Sequence, residues 1–275
     1  MLTILNSISS LNAENALSST QASLQKTLTE LSTGLRVNSG SDDAAGLSIA
    51  NGLQANVAAL TQSQQNASDG VGLLQTADGA YSQVVTLLNR AVTLATEASN
   101  GGLSTSQATA LQTEYGSIQT EINNIGSTTN FNGTAVFGST GSVYTSDGTS
   151  TGSKSISDAV AALSAGTSGL GLTTTGTPLS TTAGAQSELA LITAAISTVA
   201  ADRGTIGATV NQLNAAQSVE GTAVTNLTSA VNSIQNADIG QTVAQMTQYN
   251  VLQQTGMAAL SQSNQAQQSV LKLLQ

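Results

Sequence analysis

The chain of 275 residues has no cysteine, no histidine, no tryptophan and a single proline. Each absence excludes something. Without cysteine or histidine there can be no Cys/His zinc site, no disulfide, no thiol nucleophile and no Ser-His-Asp triad. Aromatic residues, which supply much of the buried area of compact cores, make up only 2%. A core must therefore be built from Leu, Val, Ile and Ala, which suits helix packed on helix. Charged residues are 8%, the net charge is −9 and no basic stripe occurs, so nucleic acid is disfavoured as a partner. No uninterrupted run of 18 apolar residues is found, so neither a transmembrane helix nor membrane insertion is expected. The first basic residue after Met1-Leu2-Thr3-Ile4-Leu5 is Lys26, and a cleavable secretory signal is not expected either.

The charge that is present is unevenly placed. Glu14, Glu30, Lys26 and Arg36 cancel over residues 1 to 40, and Asp238 and Lys272 cancel over 238 to 275. All the net negative charge lies between. Two neutral, Leu/Ala/Gln-rich ends read as segments to be buried, and the acidic middle as the part that stays in water.

What the chain has in abundance is heptad spacing. Leu53, Val57, Leu60, Gln64, Ala67, Val71, Leu74, Asp78, Tyr81, Val85, Leu88, Val92 and Ala95 follow at alternating steps of four and three. This pattern predicts a helix from about Ala44 to Ser99 with a narrow apolar seam for another long helix. From Leu53 to Ala95 such a helix is roughly 64 Å long. Gln64 and Asp78 interrupt the seam, and polar residues at such positions tend to fix register. A second rod of almost the same length returns through Leu189, Ile192, Ile196, Val199, Arg203, Ile206, Val210, Leu213, Gln217, Glu220, Val224, Leu227, Val231 and Ile234.

Around the rods stand shorter elements. Ile4, Ile8, Leu11, Leu24, Leu28, Leu31 and Leu35 predict an amphipathic N-terminal helix that stops at Thr33-Gly34. Ser41-Asp42-Asp43 supplies the cap and first-turn carboxylates of the first rod. After Asn100-Gly101-Gly102, Ser104-Thr105 caps a helix through Leu111, Tyr115, Ile118, Ile122 and Ile125. Thr129 to Gly133 reads as a turn, with Phe131 and Phe137 forming a small local core. Between Gly138 and Gly184 the composition shifts to Gly, Ser and Thr. There Ser142–Thr145 and Lys154–Ser157 read as strands flanking a turn around Asp147-Gly148, Asp158 to Ala165 as a short helix, and the remainder as a loop or a weak domain, against the plainer reading of a low-complexity linker. A final helix runs from about Ile239 through Val243, Met246, Leu252, Leu260, Leu271 and Leu274 to Gln275. The fold class is thus mainly α, with long antiparallel coiled-coil rods, both terminal helices together and a small hairpin-containing middle. Three regions are expected: the terminal helices (1–40 and 238–275), the rods (41–137 and 185–237) and a surface segment (138–184).

At this point the residues resemble a known family. Leu31-Ser32-Thr33-Gly34-Leu35-Arg36-Val37-Asn38-Ser39, followed by Asp42-Asp43-Ala44-Ala45-Gly46-Leu47, is similar to the N-terminal signature of bacterial flagellins. Asn130-Phe131-Asn132-Gly133 resembles the flagellin turn, and Arg203, Gly207 and Asn211 fit the spacing on the returning rod. Asn250-Val251-Leu252-Gln253-Gln254, Gln262, Asn264 and Val270-Leu271-Lys272-Leu273-Leu274 resemble the C-terminal signature. The resemblance implies an extracellular filament subunit, exported unfolded through the flagellar type III channel and polymerised beneath a cap. Its terminal helices would form concentric coiled-coil tubes, the rods the next layer, and the middle the solvent face. It also implies a homo-polymer, with a flagellar cap, junction proteins and an export chaperone as further partners.

Under that reading the subunit interface comprises Ile4, Ile8, Leu11, Leu24, Leu28, Leu31, Leu35, Arg36, Asp42, Asp43, Leu252, Leu260, Val270, Leu271 and Leu274. Leu88 to Leu94 resembles the segment read by the Toll-like receptor for flagellin, with Arg90 and Leu94 as contacts. Thr93 stands where receptor-active relatives carry an acidic residue. The alternatives are a filament-junction protein and a carbohydrate-binding surface adhesin using Tyr144. No catalytic, metal or cofactor residues are assigned. Adjacent Asp42 and Asp43 point apart on a helix and read as a cap. Gly70 and Gly72 lack the Lys-Ser/Thr of a phosphate loop.

Overall fold

The structure, a computed structural model, describes residues 8–174 and 176–273. In chain order the elements are α1 (Ile8–Thr33), α2 (Ala44–Ala98), α3 (Thr105–Thr128), β1 (Asn130–Phe131), β2 (Thr134–Ala135), β3 (Ser142–Thr145), β4 (Lys154–Ser157), a 3-10 turn at Pro178–Ser180, α4 (Thr182–Gln235) and α5 (Ile239–Leu273). The fold is mainly α, with long antiparallel helices and two small antiparallel hairpins. It divides into two compact units: one built from the chain ends, up to Ala55 and from Asn226, and one comprising Asn56–Thr225.

The Asn56–Thr225 unit, inner only in chain order as the unit of the chain ends is outer, holds the main hydrophobic core. Cross-helix hydrogen bonds fix its direction: Ser63 meets Glu220, Gln64 meets Gln217, Asp78 meets Arg203 and Tyr81 meets Asp202. As the α2 numbers rise the α4 numbers fall, so the rods are antiparallel. The predicted seam is buried at Leu60, Ala67, Leu74, Tyr81, Leu88 and Ala95. A second buried heptad lane, Ser63, Gly70, Ala77, Val84, Ala91 and Ala98, runs beside it. The apolar stripe of α2 is therefore wider than the narrow seam the Leu/Val/Ile positions predict. Small residues make this extra lane, so neighbouring segments pack close to the helix backbone. A methyl group at Gly70, for example, would collide with the side chain of Val143 on β3.

α3 packs as a third helix. Its start is a capping box in which Ser104 accepts from the Gln107 amide and Gln107 reaches back to Ser104, satisfying donors that a helix start leaves orphaned. Tyr115, Ile118 and Ile122 are buried in the core. β1 and β2 are joined by Asn132-Gly133, with φ of 49° and 78°, the left-handed pair that a two-residue hairpin turn requires. Phe137, just beyond, sets its ring edge-on to Tyr81, with centroids 5.1 Å apart and planes at 85°.

The Gly/Ser/Thr-rich middle is packed into this core. β3 and β4 pair antiparallel with Val143 opposite Ile156, and both side chains are buried. Asp158 to Ala165, predicted helical, is irregular. Burial at Ile156, Asp158 and Val160 continues the alternation of β4. Backbone bonds from Asp158 to Gly141 and from Gly138 to Val160 hold the segment extended. Further on, Val160, Leu163, Leu170, Leu172 and Leu179 are buried, and side chains of α3 grip the backbone. Asn123 accepts from Ala165 N, Gln119 donates to Thr173 O, and Gln112 accepts from Leu179 N. Fully buried Glu188 on α4 accepts from the Tyr115 hydroxyl and from Thr173 N. These bonds answer the backbone groups that a buried loop must satisfy, so the low-complexity linker reading is overturned.

By length and composition α4 is apolar enough to cross a membrane, although uninterrupted apolar runs predict no such helix. Its apolar character serves the core: Ile192, Ala195, Val199, Ile206 and Leu213 are buried within the inner unit. Along the same helix Glu188, Asp202, Arg203 and Glu220 each have a protein partner.

Candidate functional site

The site is the helix pair of the outer unit, α1 with α5. Ser10 Oγ lies 2.9 Å from Ser263 Oγ, and a Cβ on Gly256 would stand 3.3 Å from Leu17 Cδ1, so the pair is antiparallel. The residues of α1 drawn inward are Ser10, Ala13, Leu17, Thr20, Leu24, Thr27 and Leu31, at steps of three and four. On α5 they are Thr242, Gln245 with Met246, Tyr249, Gln253, Gly256, Leu260 and Ser263. This is a heptad seam whose contents are largely small or polar.

The large apolar side chains lie elsewhere. On α1, Ile8, Leu11 and Leu28 are 72%, 56% and 46% exposed, and on α5 Val251, Leu252 and Met257 are 55%, 44% and 51% exposed. A helix ordinarily turns its apolar stripe toward its own protein. Here the apolar residues are divided: Leu17, Leu24, Leu31 and Leu260 share the seam with hydroxyls and amides, and the other large apolar side chains face outward. So many large apolar side chains exposed on one helix pair are a surface that suits a partner.

The predicted interface residues therefore separate. Ile8, Leu11, Leu28 and Leu252 point outward, whereas Leu24, Leu31 and Leu260 take part in the intramolecular seam. Ile4 and Leu274 lie outside the described residues, as do the side chains of Val270 and Leu271 at the end of α5. Single-helix periodicity could not separate the two groups, because it identifies apolar positions without saying which neighbour each one meets. Val251 and Met257 were missed for the related reason that they do not continue the seam.

Leu35, Arg36, Asp42 and Asp43 hold the turn between α1 and α2. α1 stops at Gly34, whose φ is +72°. Leu35 pairs with Asn236 as an isolated bridge. Arg36 N donates to Gln235 O, and Ala237 N donates to Gly34 O. The Arg36 Nη2 donates to Ile234 O at 2.6 Å, placing a cation on the terminal carbonyls of α4, where the helix dipole favours one. The turn after α1 is thus stitched to the turn before α5.

The adjacent carboxylates divide their work. Asp43 Oδ1 accepts from Gly46 N at 2.8 Å and caps α2. Asp42 turns back instead, binding Lys26 Nζ at 3.1 Å and accepting from Asn38 N, Ser39 N and the Ser39 hydroxyl. The Lys26 ammonium, then the Ser39 hydroxyl and the two amides, hold its carboxyl below the ordinary range.

On α2 the two residues expected to contact a receptor, Arg90 and Leu94, part company. Arg90 makes a two-pronged pair with Glu114, at 2.7 and 3.0 Å. Leu94 is 0% exposed, a member of the main buried cluster, so it offers nothing to a partner. Among the described residues no group of three or more His, Cys, Asp or Glu side chains could hold a metal ion.

Comparison with known proteins decides the family. Residues 4–142 match the profile described as bacterial flagellin N-terminal helical region, and residues 189–274 match the bacterial flagellin C-terminal helical region. The chain belongs to the bacterial flagellin family. The flagellin of Serratia marcescens is 45% identical over 105 residues, 38% of this chain and 30% of its own length. The B-type flagellin of Pseudomonas aeruginosa is 42% identical over 113 residues, 41% of this chain and 23% of its own. The phase 1 flagellin of Salmonella naestved is 42% identical over 105 residues, 38% of this chain and 21% of its own. The matched stretches thus span less than a third of each of these relatives. A crystal structure of Bacillus cereus flagellin is 28% identical, covers 56% of this chain and 88% of that one, and gives a TM-score of 0.47.

Proposed function

We propose that the chain is the structural subunit of a bacterial flagellar filament, polymerising by burial of its terminal helices against those of other copies. The observation that carries this reading is the set of exposed large apolar residues that α1 and α5 keep outside the seam that joins them. Fully burying a Leu, Val, Ile or Met side chain stabilises by about 1.5–3 kcal/mol, and eight such residues, Ile239 and Val243 among them, are exposed on the described part of this pair. Many copies must share the interface, since one helix pair presents apolar residues on more than one side of its seam. In this reading the protein works outside the cell as a homo-polymer for swimming motility, with a cap, junction proteins and an export chaperone as partners. It is a structural protein with no catalytic role.

Electron microscopy of purified protein under salting-out conditions tests the proposal. Long tubes are expected; short stacks that do not propagate would favour the filament-junction reading, and none at all would reject polymerisation. Recognition by a Toll-like receptor is not expected of the folded monomer. With Leu94 in the core and Arg90 held by Glu114, purified monomer is expected to leave receptor reporter cells silent, and a strong response would reverse this.

A further inference from the structure

We infer that Gln64, Asp78, Arg203 and Gln217 form a register lock that selects one heptad alignment of α2 against α4. The residues are partners in two layers. Gln64 Nε2 donates to Gln217 O and Gln217 Nε2 donates to Gln64 O, both at 3.2 Å. Asp78 takes Arg203 at 2.6 and 3.1 Å through both carboxylate oxygens. From Gln64 to Asp78 is fourteen residues, and from Gln217 back to Arg203 is fourteen. The two layers therefore share one alignment and stand two heptads apart.

The rest of that lane is apolar. In the same alignment Val57 falls level with Val224, Val71 with Val210, Val85 with Ile196 and Val92 with Leu189, and all eight are half-buried. Apolar layers alone do not distinguish one heptad alignment from the next, because a slip of seven residues, about 10 Å along the axis, sets apolar residues opposite apolar residues again. The polar layers do distinguish them. After a one-heptad slip in either direction Asp78 faces Ile196 or Val210, Arg203 faces Val71 or Val85, and each glutamine faces a valine. A two-heptad slip leaves Asp78 opposite Gln217 or Leu189 and Arg203 opposite Val92 or Gln64. Every slipped alignment breaks both layers, and a polar residue in a coiled-coil seam fixes register by this penalty. The pair is 38% and 42% exposed, so its contribution to stability is small, as expected of residues retained for alignment. Ser63 with Glu220 and Tyr81 with Asp202, from the two other lanes of α2, stand eighteen residues apart on each helix and so also share one alignment.

Because the chain has no cysteine, paired cysteines report register cleanly in the full-length monomer. Val85→Cys with Ile196→Cys reports the native alignment. Val85→Cys with Leu189→Cys, and Val92→Cys with Ile196→Cys, report the two one-heptad slips. In the natural lane only the native pair should form a disulfide. With Gln64, Asp78, Arg203 and Gln217 all changed to Leu, the slipped disulfides should rise at least roughly tenfold while helix content is kept. If that variant still links only the native pair, the contacts of α3 hold the register and the inference is overturned. Should the variant not fold, the charge swap decides. Asp78→Arg and Arg203→Asp alone should each admit slipped disulfides, and the double swap should restore the native one. A double swap that behaves like the singles would overturn the inference as well. Neither arm involves polymerisation, so the outcome is independent of the filament proposal.

Discussion

At the scale of single residues, close packing decides more than polarity does. Gly126 on α3 lies against the backbone carbonyl of Leu163, where a methyl group would collide with the oxygen. Gly126→Ala should lower stability by about 1–3 kcal/mol. Gly116→Ala on the same helix, with nothing within 4 Å of its Cβ position, should be neutral or stabilising by about 0.5–1 kcal/mol. Thermal unfolding followed by circular dichroism separates the two. Charged residues act through pairing. Asp78 is held below its ordinary carboxyl range chiefly by the Arg203 hydrogen bond, and Asp42 chiefly by Lys26. A carboxylate whose folded pKa is depressed contributes stability that is present above the unfolded value of about 4 and lost as pH falls through the folded one. Urea midpoints should therefore fall below about pH 4, and Asp78→Asn should show a shallower fall than the natural chain. Equal slopes would remove Asp78 from the acid response.

At the scale of the helix, inward and outward faces on α1 make different predictions. Leu28→Asp alters an outward residue, so the monomer should keep its helix content and stability within about 0.5 kcal/mol. Polymerisation should be lost, because assembly would bury an unpaired charge. Leu24→Asp alters the intramolecular seam, so helicity of the outer unit should fall in the monomer itself. Sedimentation for assembly and circular dichroism for helicity check both. Filaments from Leu28→Asp would remove the outward face from the interface. The helix positions were legible in the sequence: α1, α2 and α3 begin or end at the Gly34, Asp43 and Ser104 signals that cap and stop chemistry predicts. The outward or inward sense of each leucine was not, since a heptad pattern is satisfied equally by a partner in the same chain and by one in another.

At the scale of the whole molecule, the two units differ in what holds them. Every member of the main buried cluster lies between Ala67 and Leu213, inside the inner unit. The described residues of the outer unit bury Val37, Ala50 and Val231, with Thr27, Gln235 and Thr242, but none of their large leucines. Local stability follows buried apolar contact. Amide exchange in the monomer should therefore be fast over α1 and α5 and slow over α3 and the adjoining part of α4. Uniform protection would contradict the difference in core content.

The sequence by itself determined the helical class, the lengths of both rods, their caps and the family, because heptad spacing and capping are local properties written into consecutive residues. It also showed that β3 pairs with β4, since two short alternating runs flank a turn. Tertiary structure alone decided that the Gly/Ser/Thr-rich middle belongs to the core, because its few leucines and valines acquire meaning only when the side chains of Asn123, Gln119, Gln112 and Glu188 hold its backbone. It alone widened the stripe on α2 through Gly70, Ala77 and Ala91, residues too small to register as apolar in a pattern. It alone showed Leu94 inside and Leu28 outside. Burial is a relation between distant segments, and a sequence lists each partner without saying which of them meet.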